Sequence, residues 1–150
     1  MSKLIGNNPN QVPTNGDLGT MAYQNDTSAI ITSVALQEVT ESVTSITSSS
    51  NAATIDLSTA TNFTHTLTEN VTYTFSNPAS SGKASAFTLK VVQDSTARTI
   101  SWPASVDWPA GTPPTISADS GGTDYFVFIT TDGGTTYYGF TAGQALATPA

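Results

Sequence analysis

Two stretches in the last third of the chain decide its fold: SWPASVDWPAGTPP, from Ser101 to Pro114, and TDYFVFITTDGGTTYYGF, from Thr123 to Phe140. The second is an aromatic and aliphatic run, broken at Asp132-Gly133-Gly134 and resumed at Tyr137, which predicts a β-hairpin. In that hairpin the glycines supply positive φ and the Asp132 side chain caps free backbone N–H groups. Phe126 and Phe128 interleave with Tyr125, Val127 and Ile129, so this strand is apolar on both faces. It is either central in a sandwich or set with one face against another subunit. In the first stretch Trp102 lies in frame with Ile100 while Pro103 and Pro109 stiffen the loop. Trp102 and Trp108 therefore either enter the core or form an exposed aromatic platform.

Working backwards, the apolar residues recur with period two: Ile55 and Leu57, then Phe63, His65 and Leu67, then Val71, Tyr73 and Phe75, then Phe87, Leu89 and Val91. Each set lines one face of a strand. Turn signals fall between them at Thr68 to Asn70 and at Ser76 to Gly82. With further strands at Arg98 to Trp102, Tyr125 to Thr130 and Tyr137 to Phe140, roughly seven short strands fit residues 51–150. The simplest closure is an all-β, jelly-roll-like antiparallel β-sandwich. No repeat of about 20 to 50 residues is visible, which argues against a solenoid.

Residues 27–50 change character. Leu36, Val39, Val43 and Ile46 have the three-four-three spacing of a coiled-coil seam, extended backwards by Thr32, with Gln37, Glu38 and Glu41 on the solvent side. This predicts a short trimerisation helix, although the same β-branched residues also suit extended structure. Residues 1–26 are rich in Asn, Gly and Pro with scattered apolar positions, and read as an extended leader without a core of its own.

Composition limits the function. Only 10% of residues are charged and the net charge is -7, so a nucleic-acid partner, which needs clustered Lys and Arg, is not expected. The surface is dressed with hydroxyls instead, from 18 serines and 27 threonines. There is no cysteine for a disulfide or thiolate site. The amino-terminal MSKLIGNNPNQVPTNG lacks a signal-peptide core and no run approaches membrane-spanning length, so neither export nor membrane insertion is expected.

Enzyme machinery is not expected either. No GxSxG, HExxH, phosphate-loop or dinucleotide motif occurs. His65, the one histidine, sits within a strand alternation as a core or interface residue. The loop carboxylates Asp107, Asp119, Asp124 and Asp132 could serve as an acid pair only if two lay about 5 to 9 Å apart. They form no spaced oxygen-ligand series for calcium. We therefore expect no catalytic, cofactor or metal site.

The Trp-Pro loop followed by TTDGGTTYYGF resembles the terminal β-sandwich of tail-fibre and other virion proteins of tailed bacteriophages. NQVPTNGDLGTMAYQN, from Asn10 to Asn25, is similar to a lead-in motif near the start of such appendage proteins. The resemblance implies a non-enzymatic virion component made in the host cytoplasm: a short homotrimeric fibre or decoration on capsid or tail. Residues 1–26 would dock on other virion proteins through Val12, Leu18, Met21 and Tyr23, residues 27–50 would join three chains, and residues 51–150 would form the projecting knob. The shaft is short for a fibre, which favours a small projection. The alternative is a receptor-binding module contacting host-surface glycan through Trp102, Trp108, Tyr137 and Tyr138.

Overall fold

The structure, a computed structural model, describes residues 39–147. Nine strands occur among them: β1 (Val43–Ile46), β2 (Ala52–Asp56), β3 (Asn62–Leu67), β4 (Val71–Ser76), β5 (Ser85–Gln93), β6 (Ile100–Ser101), β7 (Val106–Asp107), β8 (Thr123–Thr130) and β9 (Tyr137–Leu146). The period-two sets all lie in strands or directly beside one. Along β5, for example, Phe87, Leu89 and Val91 are buried while the residues between them are half-exposed.

Two sheets form, one of six strands in the order β1-β3-β5-β8-β9-β7 and one of three in the order β2-β4-β6. They face each other across a single apolar core. Phe75 of β4 meets Phe87 of β5 at 5.0 Å and Phe128 of β8 at 5.1 Å between ring centres. The layers are therefore sandwich-like.

The strand directions correct the antiparallel, jelly-roll expectation. β1-β3, β3-β5, β2-β4, β4-β6 and β7-β9 are parallel, and only β5-β8 and β8-β9 are antiparallel. From β1 to β6 the chain alternates between the sheets, each strand lying beside the one two before it. It thus winds as a two-sheeted coil, closed by the β8–β9 hairpin. A parallel neighbour needs a long return path, and here the strand of the opposite sheet supplies it. The winding is not built of sequence repeats. Its steps, Val43 to Asn62 and then Asn62 to Thr88, are unequal, so they leave no repeat in the sequence.

The second correction concerns the seam. Val43 and Ile46 belong to strand β1, in register with Asn62 and His65 of β3, and not to a helix. Strand alternation turns Ile46 towards the core and leaves Val43 exposed. Val39 is exposed and lies outside regular structure. The β-branched content of VTSI, together with a ready parallel partner in β3, outweighs the weak helical spacing. Leu36 and the leader positions Val12, Leu18, Met21 and Tyr23 lie outside the described residues.

Candidate functional site

The aromatic residues divide into an inner and an outer set. Tyr137 and Trp108 are buried, and Trp102, partly buried, stacks on Tyr73 at 5.6 Å and packs edge-on to Phe126 at 5.0 Å. Trp108 covers Gly139, where a Cβ would come within 2.9 Å of the indole and 2.8 Å of Val106. The bare backbone of β9 at this point is what lets the indole seat. Trp102, Trp108 and Tyr137 are therefore core pillars, and the expectation that they offer ring faces to a sugar is corrected. Of the four, Tyr138 alone is strongly exposed.

The outer set lies on the solvent side of the six-stranded sheet. In β8 Asp124, Phe126, Phe128 and Thr130 point inwards, so Tyr125, Val127 and Ile129 point out. β9 brings Phe140 opposite Val127 and Tyr138 opposite Ile129. Tyr125 is 37% exposed, Tyr138 50% and Phe140 47%. One margin of this strip is Lys90 of β5, in register with Tyr125, and the other is Asp107 of β7, in register with Tyr138. The same face is mostly polar across β3 and β1, with Val43 exposed at its edge. There Glu41 accepts hydrogen bonds from Thr61 and Asn62, and Asn62 in turn accepts one from Thr88.

Two of the four loop carboxylates, Asp132 and Asp124, are engaged separately within the fold. Asp132 accepts the Thr136 N–H at 3.0 Å and the Thr130 hydroxyl at 2.9 Å. Those bonds, the backbone N–H first, hold its carboxyl below the usual range. This is the turn-capping role read from the sequence, and Gly133 and Gly134 have the expected positive φ of 76° and 83°. Asp124, buried at the other end of β8, accepts from the Ser117 N–H and hydroxyl and from the Ala145 N–H, which ties the long β7–β8 connection to β9. An eight-residue strand separates Asp124 from Asp132 by roughly 25 Å, far outside acid-pair range.

His65 is buried in β3, its Nδ1 sharing a 2.6 Å hydrogen bond with the Tyr73 hydroxyl of the opposite sheet. Burial pushes the imidazole below its ordinary value, partly offset by the Glu69 carboxylate, and pushes the Tyr73 hydroxyl strongly up. Both groups are thus neutral near pH 7, and the pair bridges the two layers. A cavity of about 340 Å³ beside it is lined by Ile46, His65 and the hydroxyl-bearing Ser45, Ser48, Thr64 and Thr68.

Among the described residues no helix is long and apolar enough to cross a membrane, and no three His, Asp or Glu gather as a metal-ligand group. Comparison of the chain with protein-family models, with curated proteins and with solved structures returns no match. What the arrangement offers chemically is a contact surface. An uncharged aromatic and aliphatic strip runs over the two-stranded β8–β9 ribbon, on a face whose other residues are mostly polar.

Proposed function

We propose that this chain is a non-enzymatic structural protein of a bacteriophage virion, a short homotrimeric fibre or decoration projecting from the capsid or the tail. It is made in the host cytoplasm and docked on neighbouring virion proteins through residues 1–26. The observation that carries this reading is the outer strip of β8 and β9, because an apolar face this continuous on a polar sheet is what a protein-protein contact needs. The resemblance of the Trp-Pro loop and the Asp-Gly-Gly hairpin to phage appendage modules supports the setting. In this chain both motifs are used to brace the sandwich: the tryptophans fill its core and Asp132 holds its hairpin.

Labelling purified particles of the phage that encodes the chain with an antibody against residues 51–150 tests the reading. Regular labelling at the head or tail is the expected result, and particles free of the chain would overturn it. A receptor-binding role is the second reading, favoured by the exposed rings of Tyr138 and Phe140. Binding of the purified chain to host cells, lost in Tyr138→Ala, would favour it.

A further inference from the structure

We infer that the outer face of β8 and β9, formed by Tyr125, Val127, Ile129, Tyr138 and Phe140, is the surface through which copies of this chain join. The Lys90 margin of each copy meets the Asp107 margin of the next. The inference rests on the homo-oligomeric reading above and names the contact within it. With Val43 and Ile46 in a sheet, the described part of the expected seam supplies no helical joint. Among the described residues, a joint between copies therefore needs another surface.

Three features choose a second copy as the occupant. The strip carries no charge along β8 and β9, while its two margins carry one charge of each sign, Lys90 beside Tyr125 and Asp107 beside Tyr138. Among the described residues the only ion pair is Arg98 with Asp94, so Lys90 and Asp107 have no charged partner within the described chain. A face with opposite charges on opposite margins complements itself head to tail, an arrangement that forms a ring where the rotation between copies closes and a filament where it does not. The centre of the strip then stays dry. Tyr125, Tyr138 and Phe140 supply large rigid rings between Val127 and Ile129, the composition of an interface core with a charged rim. Finally, the polar groups of the other half pair with one another, through Glu41, Asn62 and Thr88, and leave Val43 as a single exposed apolar residue there, so the continuous apolar contact area lies on β8 and β9.

Sedimentation of the full chain at micromolar concentration tests this, with Phe140→Asp on the strip and Thr66→Asp on the polar half of the same sheet as control. We expect an oligomer for the parent and the control, and monomers with an unchanged far-ultraviolet spectrum for Phe140→Asp. An oligomer that survives Phe140→Asp overturns the inference and leaves the homo-oligomeric reading standing. A parent that is monomeric throughout overturns both. Should Phe140→Asp fail to fold, the margins decide. Lys90→Asp should weaken association about tenfold, and adding Asp107→Lys should restore it to within about twofold, as coupled charges across an interface do. No restoration overturns the inference. Loss of host-cell binding in Phe140→Asp with an intact oligomer would assign the strip to a receptor and overturn it as well.

Discussion

Gly139 shows how a single residue fixes the closure of the sandwich. Its missing side chain is the seat of Trp108, with Val106 equally close to the position a Cβ would take. Gly139→Ala places a methyl where neither neighbour can easily yield, so we expect a loss of about 1 to 3 kcal/mol in urea unfolding and a shift in tryptophan emission. His65 gives the second residue-level prediction. Its folded-state proton affinity lies below its unfolded value of 6.5, so the unfolded chain binds the extra proton first. Stability is therefore full above pH 6.5 and falls as the pH drops below it, levelling off once the folded imidazole also titrates. As the one histidine in the chain, it should account for most of the fall in melting temperature between pH 7.5 and 5.5, and His65→Gln should flatten that slope. A slope unchanged in the variant would mean that other groups carry it.

At the scale of elements, β1 separates the two readings of residues 43–46. If Val43 lined a helical axis, a charge there would be buried and the assembly would fall apart. In the structure it stands exposed on an edge strand. Val43→Asp should therefore change stability by no more than about 0.5 kcal/mol and leave the sedimentation of the chain unaltered. What was legible in the sequence follows from the same physics. Alternation tells which side of a strand is buried, so Phe63, Tyr73, Phe87 and Leu89 were recognisable as core, whereas in β8, apolar on both faces, it could not single out Phe126. The Asp132 turn was legible because its chemistry is local. A four-residue strand with three β-branched residues, by contrast, fits a three-four spacing as well as a two-residue one, and only its long-range partner β3 decides between them. The burial of Trp108 and Tyr137 depends in turn on β7 and Gly139, neighbours in space that no local pattern announces.

At the scale of the molecule, the parallel winding could not be read from the chain, because period two carries no information about strand direction and the windings differ in length. The closing hairpin was legible, and so was the double-faced apolar character of β8. Of the two alternatives the sequence left for that strand, the structure shows the first, a place inside its sheet between β5 and β9. The parallel coil holds the two layers together, the Trp loop fills the space between them, and β8 and β9 present the remaining apolar face outwards. The measurement that tests this account most directly is a cryo-electron microscopy map, at side-chain resolution, of the intact particle carrying the chain. We predict three copies about a common axis, with Tyr125, Val127, Ile129, Tyr138 and Phe140 of each turned towards its neighbours and Lys90 beside the next copy's Asp107. A map in which the copies stand singly, or meet through the three-stranded sheet with the β8–β9 face in solvent, would contradict it.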